Sequence, residues 1–108
     1  MPVYNKLVRD LIPQVIEADG KTCVTRVLAS SEHLGEIKAK MQEEALEFQE
    51  ATSSKEAVEE LADIVELVHA ALYVYGVSFD QLEQVRMQKK EKRGGFSEGI
   101  FLIEVEDD

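Results

Sequence analysis

A mainly α-helical fold, a bundle of about four helices with a small two-stranded β element, is what this sequence predicts. Three observations carry that expectation. An apolar stripe runs Leu34, Ile37, Met41, Ala45, Phe48 at the spacing of one helical face. Two helix starts are spelled out by capping-box spacing, Ser53 with Glu56 and Ser78 with Gln81. Two short segments, residues 21–28 and 99–106, are instead rich in β-branched and apolar side chains.

Taken in order, Asp10 is expected to cap a first helix that admits Pro13 in its opening turn and ends at Gly20. Residues 21–28 then read as a strand, with Thr22, Val24, Thr25 and Val27 β-branched and Cys23 as a small buried apolar group. Ser30 and Ser31 open the second helix. The third starts at Ser53 and stops at Gly76, and the fourth runs from Ser78 to about Arg93, where Gly94 and Gly95 break it. Residues 99–106 give the second strand, and the acidic tail through Asp108 is a solvated end. No low-complexity linker divides the chain, so residues 1–108 read as one domain.

The third helix is apolar on more than one side. Leu61, Val65, Val68 and Leu72 form one stripe, while Leu67, Ala71 and Val74 continue the line that carries Glu60 and Asp63. A helix hydrophobic nearly all round is usually buried. A chain of 108 residues has too few partners to cover it, so the Leu67, Ala71, Val74 line is expected to meet another subunit.

Composition narrows the function. The net charge of −10 argues against nucleic-acid and anionic-membrane surfaces, which repel an acidic protein. A single cysteine rules out an internal disulfide and suits a reducing cytoplasm. The first residues lack a signal-peptide apolar core, and the longest near-apolar stretch, residues 67–77, is too short to span a bilayer.

The chemistry lies in two acidic pairs. Glu44 with Glu47, and Glu60 with Asp63, are each three residues apart, so each pair shares a helical face with Cβ atoms roughly 5–6 Å apart. If the two helices pack antiparallel, the pairs face one another. Four carboxylates in a partly dry groove repel and lose hydration, a cost that an oxygen-preferring cation such as Mg²⁺ offsets. The bland alternative is a solvated acidic face. It fits Glu36 with Lys40, an i,i+4 pair, but not these pairs, whose i+4 neighbours are Phe48, Ala51, Ile64 and Leu67. Spacing alone leaves the two readings even.

The string Glu43-Glu44-x-x-Glu47, twelve residues, then Glu60-x-x-Asp63 resembles the signature of the MazG-like all-α nucleoside triphosphate pyrophosphohydrolases. The start Tyr4-Asn5-Lys6-Leu7-Val8-Arg9-Asp10-Leu11-Ile12-Pro13 and the later Lys89-x-x-x-Arg93-Gly94-Gly95-Phe96 look like the compact, phosphoribosyl-ATP pyrophosphohydrolase-like branch. The resemblance implies a helical bundle assembled as a homodimer or homotetramer. It implies Mg²⁺-dependent cleavage of a nucleoside triphosphate to monophosphate and pyrophosphate, with Mn²⁺ as a substitute, and a role in clearing unwanted nucleotides. It makes Glu44, Glu47, Glu60 and Asp63 the metal ligands and Glu43 an adjacent site residue. Glu43 or Glu44 is then the general base, and the residues alone do not choose between them.

Lys89 and Arg93 share a helical face and suit a clamp on the outer phosphates; the competing role is to complement the helix dipole beside Lys90 and Lys92. Lys6 and Arg9 precede a helix and are placed to reach substrate or a partner subunit, with pairing to carboxylates such as Asp10 as the alternative. Phe96 is expected to anchor its turn to the core, His33 to lie at the surface and His69 in the core. Two other functions stay open: phosphoribosyl-ATP hydrolysis in histidine synthesis, and a non-catalytic nucleotide-sensing oligomerisation module.

Overall fold

Four helices order the described residues, and among these the second and third make the one extensive helix–helix packing. The computed structural model describes residues 2–106. Asp107 and Asp108, the end of the expected acidic tail, lie outside the described residues. Helix α1 spans Ile12–Ala18, α2 Ser30–Glu50, α3 Ser54–Tyr75 and α4 Phe79–Arg93. The chain groups into two compact units, Met1–Gly76 and Val77–Asp108.

In the first unit, α2 and α3 pack on each other across a connection of only three residues, Ala51, Thr52 and Ser53. So short a link forces consecutive helices into an antiparallel hairpin. The turn is held chemically. Ser53 Oγ accepts from Glu56 N, and the Glu56 carboxylate turns back to accept from Thr52 N and Thr52 Oγ1. The bond expected to return to Ser53 N goes one residue earlier, which tightens the turn. At its far end α3 stops on Gly76, whose left-handed φ of 71° suits a residue without Cβ.

The first helix departs from expectation at its start. Its cap is Leu11 with no side-chain bond, because Ile12 N bonds to Arg9 O and the resulting turn takes up Asp10. With seven residues it is too short to hold by propensity alone. In the second unit, α4 carries the expected capping box complete: Ser78 Oγ accepts from Gln81 N, and Gln81 Oε1 accepts from Ser78 N.

The two-stranded β element is absent among the described residues, and the expectation is corrected. Residues 21–28 and 99–106 carry no strand. Val24 and Val27 are 101% and 98% exposed, and Ile100, Phe101 and Ile103 are also exposed. Strand propensity measures fit to a pleated neighbour, and neither segment has a ladder to join. Phe96 is fully exposed rather than anchored, Cys23 is half-buried, His33 is half-buried and His69 is exposed.

The core of the hairpin is narrow. Ile37 is the fully buried hydrophobic side chain among the described residues. On α3, Leu67, Ala71 and Val74, the line expected to meet another subunit, are half-buried. Among the apolar residues left in water there are Val58, Leu61 and Val65, at 63%, 43% and 49% exposure. Glu60 and Asp63 are half-buried with the first line, so the site and the hairpin packing share one helical face. No single helix among the described residues is long and apolar enough to cross a membrane.

Candidate metal and phosphate site

The acidic site grows directly from the hairpin. Antiparallel packing sets Glu43, Glu44 and Glu47 of α2 beside Glu60 and Asp63 of α3, and the carboxylates form two overlapping groups. Oxygens of Glu43, Glu44 and Glu47 lie within 4.8 Å of one another, as do those of Glu44, Glu60 and Asp63. Glu44 belongs to both. It is 6% exposed, a rare degree of burial for a glutamate.

Burial decides its protonation. Removal from water pushes the Glu44 carboxyl up to about 8, helped by the hydrogen bonds it makes with Glu60 and Glu47 and by the charges of Glu47 and Asp63. For Glu60, the hydrogen bond with Glu44 acts downward, but burial and the neighbouring Glu47 and Asp63 outweigh it, so its pKa also rises. Oε2 of Glu44 and Oε2 of Glu60 are buried without any hydrogen-bond donor. Buried acceptors left unpaired are costly, and a hard cation satisfies them. The all-oxygen donor set fits Mg²⁺ or Mn²⁺ rather than a thiophilic metal.

Two cations close over this cluster from the N-terminal segment. Lys6 Nζ lies 3.2 Å from Glu43 Oε1, and Arg9 Nη2 lies 2.5 Å from Asp63 Oδ1. Of the two expected roles the pairing is the one seen here: Lys6 and Arg9 pair with carboxylates, those of the site itself rather than Asp10. Lys40 joins them at 3.5 Å from Glu43 Oε1, an i,i+3 contact in place of the i,i+4 pair expected with Glu36. The Lys6 bond, with Lys40 behind it, holds the Glu43 carboxyl below its usual range. A cavity of about 290 Å³ opens beside the cluster, walled by Leu7, Arg9, Lys40, Glu44, Asp63 and Glu66, among others.

The sequence reading missed Lys40 and Glu66. Glu66 continues the three-residue spacing of Glu60 and Asp63, so it was legible. Lys40 was assigned to the wrong neighbour on its own helix. Lys89 and Arg93 are exposed on α4, in the second compact unit, on one face near its C-terminus. The carboxylate cluster, Lys6 and Arg9 all belong to the first.

A helical hairpin that presents clustered carboxylates from both arms defines the class: an all-α scaffold whose oxygen donors could hold a hard cation. The sequence profile described as phosphoribosyl-ATP pyrophosphohydrolase matches residues 8–89, and the chain belongs to that family, within the MazG-like all-α nucleoside triphosphate pyrophosphohydrolases. That description is of a pyrophosphohydrolase acting on a nucleotide. An uncharacterized protein of Mycolicibacterium smegmatis is 41% identical over 54 residues, which is 50% of this chain and 55% of that protein. The chain thus spans about half the length of the curated relative it matches. No solved structure matches significantly.

Proposed function

We propose that the chain hydrolyses a nucleoside triphosphate between the α- and β-phosphates, releasing nucleoside monophosphate and pyrophosphate, with Mg²⁺ at the acidic cluster. The observation that carries this is the meeting of five carboxylates, two with buried unpaired oxygens, under two cations of the N-terminal segment. Glu44, Glu47, Glu60 and Asp63 would hold the metal. When bound, Mg²⁺ or Mn²⁺ neutralises charge on the phosphate oxygens. Lys6 and Arg9 release Glu43 and Asp63 and turn onto the phosphates, exchanging one anionic partner for another. Lys89 and Arg93 are further phosphate contacts.

With Glu44 committed to both carboxylate groups, Glu43 is the group that orients the attacking water and takes its proton. The water oxygen bonds to phosphorus as the bridging P–O bond breaks, and pyrophosphate leaves. Clearance of unwanted nucleotides in the cytoplasm is the role this activity suits. The product test is direct. Chromatography of a triphosphate reaction should give monophosphate and pyrophosphate; diphosphate with orthophosphate would refute the assignment. Phosphoribosyl-ATP is the second reading, favoured by the description of the matching family. Turnover of it exceeding that of a nucleotide panel would select it. Tight Mg²⁺-nucleotide binding with no pyrophosphate release would instead mark a sensing module.

The assembly is a homodimer or homotetramer. Val58, Leu61 and Val65 leave an apolar stripe on α3 that a second copy would cover, since the hairpin core is thin. Val65→Glu should shift sedimentation to a smaller or aggregating species, whereas a well-folded wild-type monomer at micromolar concentration would overturn the proposal.

A further inference from the structure

A second cavity, about 230 Å³, is lined like the acidic one by residues of the N-terminal segment and α2. Tyr4, Asn5, Lys6, Glu36, Lys40 and Glu43 contribute to its lining. Leu7 and Lys40 wall both cavities, and Glu43 belongs at once to this one and to the carboxylate cluster. The two spaces are therefore neighbours, and one extended ligand can occupy both.

Their chemistry differs. In the acidic cavity Arg9 faces the cluster. In this one, Lys6 and Lys40 both point at Glu43, and Glu36 adds another negative charge. Two lysines set against two glutamates leave little net attraction for an anion. A neutral, planar, hydrogen-bonding group is favoured instead. Tyr4 offers the ring for it: the residue lines the cavity and is 73% exposed, so its ring is open to stacking. Asn5 offers a carbonyl and an amide on one planar head, the pairing that reads the edge of a base. Its φ of 45° is the positive value among the described non-glycine residues, a conformation asparagine tolerates better than most. Asn5 takes that left-handed step between Tyr4 and Lys6, and all three line the cavity.

We infer that the cavity of Tyr4, Asn5 and Lys40 is the nucleobase subsite, Tyr4 stacking on the base and Asn5 reading its edge, while the triphosphate runs past Glu43 into the acidic cavity. The size agrees. At about 230 Å³ the space is below the range typical of whole drug-sized ligands and suits a single ring system. This inference rests on the nucleotide reading above and adds the part of the substrate that the metal site does not touch.

The test is equilibrium binding of nucleoside monophosphates and of Mg²⁺-pyrophosphate, by calorimetry, to the full chain and two variants. Tyr4→Leu removes the stacking face at an exposed position. Asn5→Asp preserves the backbone preference and exchanges an amide donor for an acceptor. Stacking of a base on an aromatic side chain is worth about 1–3 kcal/mol. Tyr4→Leu should therefore weaken monophosphate binding at least about fivefold and leave Mg²⁺-pyrophosphate binding at its wild-type value. Asn5→Asp should change the rank order of the bases. Wild-type monophosphate affinities and base order in both variants would overturn the subsite, as would a wild-type protein that binds no monophosphate. Binding that follows the expected pattern, with no pyrophosphate release from any triphosphate, leaves the subsite standing and defeats only the hydrolase reading.

Discussion

Glu44→Gln should yield a folded protein that has lost both its metal response and its turnover. Glutamine copies the shape and neutrality of the protonated carboxyl, the form that burial favours at neutral pH, so the metal-free fold is little disturbed. It cannot supply the anionic oxygen that two groups of ligands share. A ligand present at about a hundred times its Kd stabilises a folded state by about 2.7 kcal/mol. In a domain of this size that raises Tm by roughly 10–20 °C. Wild type should show a rise of that order in Mg²⁺ or Mn²⁺, and Glu44→Gln none. Its kcat should fall more than about a hundredfold, beyond the range seen when only an outer partner of a ligand is changed. Glu43→Gln is the contrast: it should keep most of the thermal response while losing kcat. An equal metal shift in wild type and Glu44→Gln would sink the site.

The same carboxyl makes metal binding depend steeply on pH. Glu44 holds its proton more tightly folded than unfolded, rising from an ordinary value of 4.5 to about 8. A raised carboxyl contributes stability that is complete below the unfolded value and is lost as pH climbs to the folded one. The metal-free protein should therefore lose stability between about pH 4.5 and pH 8. A cation needs the ionised form, so its apparent affinity should gain about tenfold per pH unit until Glu44 is deprotonated. Melting curves at pH 6, 7, 8 and 9, with and without Mg²⁺, read this directly. The gap between paired curves should widen up to about pH 8 and then level; a constant gap would contradict the burial argument.

Helices were the legible part of this chain because their signals are local. Ser53, Gly76 and Ser78 act within one turn, and each sits where its chemistry placed it. The convergence of Glu44, Glu47, Glu60 and Asp63 was legible for a related reason. Three-residue spacing fixes a face, and a three-residue link fixes the antiparallel return. The β segments failed because a strand is a property of two partners, and Val24 or Phe101 carries no record of whether one exists. Asp10 failed because Arg9 O captured Ile12 N first. Lys6 on Glu43 and Arg9 on Asp63 bridge 37 and 54 residues, and no periodicity encodes so long a reach.

The contacts of Lys6 and Arg9 bear finally on when the site is built. Of its five carboxylates, Glu43 and Asp63 arrive with cations attached and Glu44 arrives carrying a proton. The chain thus brings its own counterions, and the repulsion that would otherwise prise the hairpin apart is discharged before any ion enters. On the proposed metal reading, folding and loading would be separate events, unlike the small zinc modules that collapse only around their metal. A chelator should then remove any bound Mg²⁺ or Mn²⁺ without costing the protein its shape. A cation would join by exchange, displacing a guanidinium, an ammonium and a proton.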